Sequence, residues 1–350
     1  MTAILASGFA LLFSVSSAMR AGDKTGAAWK QQTVWKGGAG DFVTLAFSGS
    51  GETLAAGGKT GLVKLWDVAG GKIKTTLRGH VRPLVCLSFG GDDKTLASLS
   101  QDGVLKVWDV AGGRERSTFR LQPNVPCAAF AADGKTLATA AAAANFGTAS
   151  GKVYLWDVAT GKLKATLAGH DIGTYQLAFS ANGKYLASAG ARYIGGESGQ
   201  NGAVGMEVNL WTLGSRRQPT ILPVSVAADF APDGKTLAVL GTQASGKRTL
   251  GYVNLVDIAA WKLRSALKGH TDVITSQAYS FDSKLLATAS ADHTIKLWNV
   301  ADGKERETLK GHQGSVLAIA FAPRRPLLAS AGADNTVRLW VPEETAAQEK

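Results

Sequence analysis

From about residue 30 to residue 342 the chain alternates apolar and polar positions in short runs, separated by glycine- and aspartate-rich punctuation. IKTTLR (73–78), PLVCLSF (83–89), TLASLS (95–100) and VLKVW (104–108) follow one another in a single stretch. Runs of this length and alternation predict short strands. DDK, ADGK, NGK and PDGK separate first from second runs, and AGGK, AGGR, ATGK and ADGK follow third runs. Both sets are turn chemistry, which joins neighbouring strands as antiparallel hairpins. The expected fold class is all-β.

The runs recur as a four-strand unit. A first-strand aromatic appears seven times, at Phe47, Phe89, Phe130, Phe179, Phe230, Tyr279 and Phe321. The third strand ends in Trp66, Trp108, Trp156, Trp211, Trp298 and Trp340, with Val256 in the same place in one further copy. Strands at this spacing with periodic Trp-Asp pairs indicate a β-propeller of four-stranded blades. With Gly-His at 79–80, 169–170, 269–270 and 311–312, the chain resembles WD40-repeat propellers over about residues 30–342. The resemblance implies a single seven-bladed β-propeller. QQTVWKGG (31–38) has fourth-strand character yet precedes the first complete three-strand set, so an N-terminal strand is expected to complete the last blade. Closure of that kind removes the exposed edges of an open array. The expected organisation is a signal peptide at 1–18, a linker at 19–29, the propeller at 30–341 and a polar tail at 342–350.

Three units carry His, Ser or Thr, Asp and Trp at one fixed spacing: His80, Ser98, Asp102, Trp108; His270, Thr288, Asp292, Trp298; and His312, Ser330, Asp334, Trp340. The types are those of a nucleophilic triad. Occurrence in three copies argues against it, because a catalytic centre needs one. An indole N–H only donates, a hydroxyl accepts it and donates onward, and an imidazole passes its other proton to a carboxylate. In WD40 propellers the matching residues form such a structural network inside the blade. The other units depart from it: Gly38, Ala56 and Thr60 in blade 1, Leu121 beside Thr139 in blade 3, and Ile221, Val239 and Val256 in blade 5. Blade 4 keeps His170, Ser188 and Trp211 without an Asp in place, so these blades are expected to rely on packing.

The aromatic-to-Trp interval is constant in blades 1, 2, 6 and 7 but longer in blades 3, 4 and 5, by seven, thirteen and seven residues. The extra residues all fall between second and third strands, as loops at 141–152, 190–208 and 241–252. That turn shares a face with the inter-blade connections, so three neighbouring loops are expected to rise together. Phe146, Arg192, Tyr193, Ile194, Met206, Arg248 and Tyr252 supply the aromatic, arginine and apolar side chains that interfaces favour, and form the candidate partner-binding set.

Glycine, at 42 of 350 residues, fits a turn-rich β protein. The net charge of +11 draws on lysine and arginine in two turn types on the face opposite the long loops, Lys72, Arg114, Lys162, Lys262 and Lys304, and Lys94, Lys135, Lys184, Lys235 and Lys284. A solvated basic ring is the expectation there, and nucleic acid is not an expected partner because basic and aromatic residues do not interleave. GGKTG (57–61) lacks the earlier glycine of a phosphate loop and reads as a hairpin turn. His293 beside Asp292 reads as an exposed turn residue, and no Cys/His cluster has metal spacing. Cys86 and Cys127 hold equivalent positions and read as buried small hydrophobes. MTAILASGFALLFSVSSA (1–18) is uncharged and apolar, and points to export to a periplasmic or extracellular location, although no basic residue precedes the run; a cytoplasmic protein is the alternative. No membrane contact is expected beyond that segment.

The reading is a non-enzymatic, monomeric scaffold that binds a protein partner through the loops of blades 3–5, with no cofactor and no metal. The alternatives are a small-molecule or enzymatic propeller working at the channel mouth, for which the long loops supply only Glu197 and Glu207 as acids, and an envelope-associated structural protein.

Overall fold

The computed structural model describes residues 27–36, 42–121, 125–140, 151–194, 203–215, 220–223, 227–245, 248–260 and 262–343. Every regular element among them is a strand, and the strands form seven four-stranded antiparallel sheets. Strand β1 (Trp29–Lys36) comes first in the chain and belongs to the last blade. Blade 1 is β2 (Phe42–Phe47), β3 (Thr53–Gly58), β4 (Val63–Asp67) and β5 (Ile73–Leu77); blade 2 is β6 (Leu84–Phe89), β7 (Thr95–Ser100), β8 (Val104–Asp109) and β9 (Arg114–Arg120). Blade 3 is β10 (Ala128–Phe130), β11 (Thr136–Ala140), β12 (Gly151–Asp157) and β13 (Leu163–His170); blade 4 is β14 (Gly173–Phe179), β15 (Tyr185–Ile194), β16 (Ala203–Thr212) and β17 (Thr220–Pro223). Blade 5 is β18 (Ala227–Phe230), β19 (Thr236–Ser245), β20 (Arg248–Asp257) and β21 (Lys262–Lys268); blade 6 is β22 (Ile274–Tyr279), β23 (Leu285–Ser290), β24 (Ile295–Asn299) and β25 (Glu305–Leu309). Blade 7 is β26 (Val316–Phe321), β27 (Leu328–Gly332) and β28 (Thr336–Pro342), with β1 as its fourth strand.

The first strand of each blade packs on the first strands of its two neighbours, and β2 meets both β6 and β26, which closes the seven-bladed ring. Strand β1 lies antiparallel on β28, from Trp29 opposite Pro342 to Lys36 opposite Thr336. The outer edge of blade 7 is thereby covered by a strand that precedes blade 1 in sequence.

First and second strands are buried on both faces, because each blade is sandwiched between two others. They are accordingly rich in Ala, Leu and Val rather than strictly alternating. Seven apolar clusters fill the seven junctions. At the junction of blades 7 and 1, Trp35 of β1 stacks on Trp66 with centroids 5.6 Å apart, and Phe42 meets the same Trp66 edge-on. Fourth strands alternate exposed and partly buried positions, as outer strands with one solvated side must.

In blades 1 to 6 the turn after the first strand holds one residue in the left-handed region. Glycine supplies it in blades 1, 3, 4 and 5 (Gly51, Gly134, Gly183, Gly234), whereas blades 2 and 6 use Asp93 and Ser283. Both non-glycine residues bond to the preceding blade. The Asp93 carboxylate accepts the Gly49 and Ser50 N–H groups, and Ser283 Oγ accepts the Asp233 N–H at 3.0 Å. These bonds offset the strain of a side chain at positive φ. Among the described residues no helix is long and apolar enough to cross a membrane.

Candidate functional site

The His-Ser/Thr-Asp-Trp sets lie inside their blades. Trp298 Nε1 donates to Thr288 Oγ1 at 2.8 Å, Thr288 meets His270 Nε2 at 2.8 Å, and His270 Nδ1 lies 2.8 Å from Asp292. Blade 7 has the same chain, with Trp340 to Ser330 at 2.8 Å, Ser330 to His312 at 2.8 Å and His312 to Asp334 at 3.0 Å. The Asp292 and Asp334 carboxylates also accept the backbone N–H of Thr271 and Gln313, which ties the inter-blade connection to the second-to-third-strand turn. Burial raises both carboxyl pKa values, but the bonds they accept outweigh it and hold Asp334 down at about 2 and Asp292 lower still. Burial likewise pushes His312 and His80 down, His80 to about 4 with help from the nearby Lys106 charge, so these rings are neutral at pH 7. The hydroxyls of Ser98, Thr288 and Ser330 belong to residues with 0% exposure, out of reach of any substrate.

Blade 2 differs from the expected geometry. His80 Nε2 meets Ser98 Oγ at 2.6 Å and Trp108 donates to the same oxygen, but His80 Nδ1 lies against Ser100 Oγ at 2.8 Å, and Ser100 in turn donates to Asp102 at 2.6 Å. A hydroxyl thus relays the bond that blades 6 and 7 make directly. The place of Ser100 is taken by Gly332 in blade 7, where a Cβ would lie 2.4 Å from His312 Nδ1.

Blade 4 overturns the expectation that it relies on packing alone. His170 Nδ1 lies 3.0 Å from Glu207 Oε1, both residues being buried, while Trp211 donates to Ser188 at 3.0 Å. Glu207 stands on β16 four residues before Trp211. Thr294 and Thr336 hold that place in blades 6 and 7 and also face their histidines, at 3.4 and 3.3 Å. The signal was therefore present: the position four before the tryptophan faces the ring, and an acid there replaces the missing Asp. This uses Glu207 structurally, and Glu197 lies outside the described residues. Among the described residues blade 3 keeps only the Trp156-to-Thr139 bond at 2.8 Å. In blade 5, Ile221 is no inter-blade residue; it is an exposed position of β17, opposite Asn209.

The long segments of blades 4 and 5 are strands, not loops. In blade 4, β15 and β16 pair continuously from Tyr185 opposite Thr212 to Ile194 opposite Ala203. Their neighbours stop earlier, β14 at Ala191 and β17 at Glu207, so Arg192–Ile194 and 203–205 form a two-stranded ribbon beyond the sheet. In blade 5, β19 and β20 pair as far as Ser245 opposite Arg248, while β18 ends at Leu240 and β21 at Tyr252, leaving a ribbon of four pairs. At ~3.4 Å per residue, four residues carry this ribbon roughly 14 Å beyond its sheet. Arg192, Tyr193, Ile194 and Arg248 belong to the ribbons, and Phe146 lies outside the described residues. Met206 and Tyr252 are at the ribbon bases and half-buried. Tyr252 lies over Gly241, where a Cβ would meet the ring at 2.3 Å, and the Lys268 ammonium stands 6.0 Å above it.

The ten lysines and arginines of the opposite turns are all exposed. Acids share that face but are turned into it: the Asp67, Asp109 and Asp157 carboxylates accept turn N–H groups at 2.6 to 2.9 Å, and Asp92, Asp133 and Asp282 do so in the other turn type at 2.8 to 3.1 Å. A repeated bond not foreseen from sequence runs along the same rim. Lys74, Lys164 and Arg264 reach across the third strand to Thr53, Thr136 and Thr236, at 3.0 to 3.2 Å. His293 is an exposed turn residue at positive φ. Cys86 and Cys127 are free, buried thiols that burial pushes up in pKa. No group of three or more metal-ligating side chains occurs among the described residues.

The family model of the WD domain, G-beta repeat, matches residues 29–67, 71–109, 161–194, 261–299 and 303–341, together more than half of the chain. Each match opens on a fourth strand, which is the sequence trace of the offset that lets β1 close the ring. A WD repeat-containing protein SL1-17 from Schistosoma mansoni is 27% identical over 154 residues, 43% of this chain and 44% of that protein. A periodic tryptophan protein 2 homolog from Schizosaccharomyces pombe is 27% identical over 169 residues, 43% of this chain and 18% of its own. An intraflagellar transport protein 122 homolog from Danio rerio is 42% identical over 69 residues, 20% of this chain and 5% of its own. The matched segments thus span less than half the length of each relative. On the matched repeats and the seven blades that they build, this chain belongs to the WD-domain, G-beta-repeat (WD40) family.

Proposed function

We propose that the chain is a non-enzymatic scaffold that binds a protein partner on the hairpin face of blades 3–5. The observation that carries this reading is the pair of ribbons standing beyond their sheets in adjacent blades. An isolated two-stranded hairpin is marginal in water, and its free edges invite pairing with an extended partner segment. Burial of the Ser-His-Asp hydroxyls supports the non-enzymatic part. Export belongs to the same reading and is supported by the uncharged apolar run at the start of the chain.

The test replaces 192–205 with a two-residue turn, which keeps Gly190 and Glu207 in register. Both chains, tagged, are crosslinked in extracts of the source cells after their melting temperatures are shown to agree. A protein retained by the natural chain and lost from the shortened one is the expected result. Identical sets of retained proteins would remove the blade 4 ribbon from the binding surface.

A further inference from the structure

The repeat breaks at one junction in a way that packing does not explain. Just before the first-strand aromatic, six blades carry Ala46, Ser88, Ala129, Ala178, Ala278 or Ala320, whereas blade 5 carries Asp229. The aromatic itself is Phe in six blades and Tyr279 in blade 6. These two exceptions belong to facing inner strands of neighbouring blades, 5% and 2% exposed. Asp229 Oδ2, Tyr279 Oη and Gln277 Oε1, from the same two strands, find no hydrogen-bond partner among the described residues. Buried polar atoms without partners cost stability that alanine and phenylalanine would spare. Burial pushes the Asp229 carboxyl up to about 8, so at neutral pH it is an O–H donor like the Tyr279 phenol.

The same junction opens on the basic face as a cavity of about 550 Å³, within the size range of small-molecule sites. Lys235, Arg264, Lys284 and Arg306 line it. Its two acids are engaged: Asp233 accepts the Lys235 N–H at 2.9 Å, and Asp282 accepts the Lys284 N–H and the Ser280 hydroxyl and lies 3.8 Å from the Lys284 ammonium. Arg264 gives one bond to Thr236 and Arg306 one to the Ala27 carbonyl, leaving further guanidinium donors on each. Asp233 and Arg264, on the cavity wall, are also electrostatic neighbours of Tyr279. Asp229, Gln277 and Tyr279 do not line the cavity itself, whose charged wall is set by the four cations and the two engaged acids.

We propose that the cavity between blades 5 and 6 binds a small oxyanion-bearing molecule, a phosphate or sulfate ester, with Lys235, Arg264, Lys284 and Arg306 holding the anionic group. Guanidinium groups match such oxygens in a forked geometry, and the ammonium groups add point charge. The site faces away from the hairpins and does not depend on them.

Calorimetric titration with inorganic pyrophosphate at constant ionic strength tests it, on the natural chain, on Lys235→Ala/Arg264→Ala, and on Lys94→Ala/Arg114→Ala. The last pair removes equal charge from blade 2 on the same face. Saturable one-to-one binding that weakens at least tenfold in the first pair and less than twofold in the second is expected. No saturable heat, or equal weakening in both pairs, would overturn the site and leave a diffuse basic field. Sedimentation with phosphatidylcholine vesicles containing phosphatidic acid distinguishes the source of the anion: retention that needs Lys235 and Arg264 assigns it to a lipid headgroup, and pyrophosphate binding without vesicle retention assigns it to a soluble molecule.

Discussion

Ser100, Gly190, Ser290 and Gly332 hold one equivalent position, two residues after the hydroxyl that accepts the indole N–H. How that position is used varies: Ser100 relays the bond to Asp102, Gly332 leaves room for His312 to reach Asp334 itself, and Ser290 turns its hydroxyl to the Val273 carbonyl so that His270 also meets Asp292 directly. Asp229 shows the opposite use of a single residue: its Oδ1 accepts only the adjacent Phe230 N–H at 2.9 Å, and its Oδ2 finds no partner among the described residues. An aspartate carboxyl titrates at 3.8 when unperturbed and at about 8 in this fold, so between those values the folded chain holds the proton that the unfolded chain has lost. Stability from this group is present at low pH and is lost as pH rises from about 4 to about 8. His80 acts in the other sense, since a pKa lowered from 6.5 to about 4 removes stability as pH falls through that window. Asp229→Ala isolates the first effect. Its stability gain over the natural chain, measured by urea titration from pH 4 to 9, is expected to grow with pH and level off above 8. The growth is several kcal/mol, on the order of 6 for a carboxyl moved from 3.8 to about 8. A gain that does not vary with pH would refute the buried, protonated carboxyl.

At the scale of one element, lengthening the β15–β16 hairpin carried the turn and its would-be aspartate away from His170. The third strand restored the acid from its own backbone position, and the longer glutamate side chain spans the gap. Glu207→Ala would leave His170 Nδ1 without that acceptor in a site closed to water. A loss of about 1–3 kcal/mol in urea unfolding is the expected result, against less than 0.5 kcal/mol for an exposed acid such as Glu52→Ala. The hairpins also show why second-to-third-strand turns tolerate length: the paired strands extend their own ladder, and every added pair satisfies its backbone groups internally.

For the whole molecule, the decisive contact is the one between the first and last described strands, β1 and β28. Strand β1 contributes Trp35 to the blade 7–1 seam and Trp29, edge-on to Phe321 at 5.9 Å, to the blade 6–7 seam. Trp35→Ala removes a buried ring from the seam that holds the circle shut. A destabilisation of about 3–5 kcal/mol is expected, and the urea midpoint is the measurement. If the midpoint falls by less than ~1 kcal/mol-equivalent, closure does not rest on this ring.

The closed ring and the offset of β1 were expected from the resemblance to WD40 propellers. Periodicity was enough to find most strands, their grouping in fours and the seven copies, because each is a local consequence of alternation and turn residues repeated in register. The three complete tetrads were legible for the same reason, being fixed intervals along one chain. Glu207, the Ser100 relay and the lysine- or arginine-to-threonine bonds along the rim were not, because each joins side chains brought together only by strand register. Nor could the long segments be told from loops, since alanine, glycine and serine carry little pattern and only the pairing shows that 185–194 and 203–212 are continuous strands. Asp229 is far in sequence from Gln277 and Tyr279, and nothing local links them. Their facing positions, and the cavity beside them, exist because closing the ring presses blade 5 against blade 6.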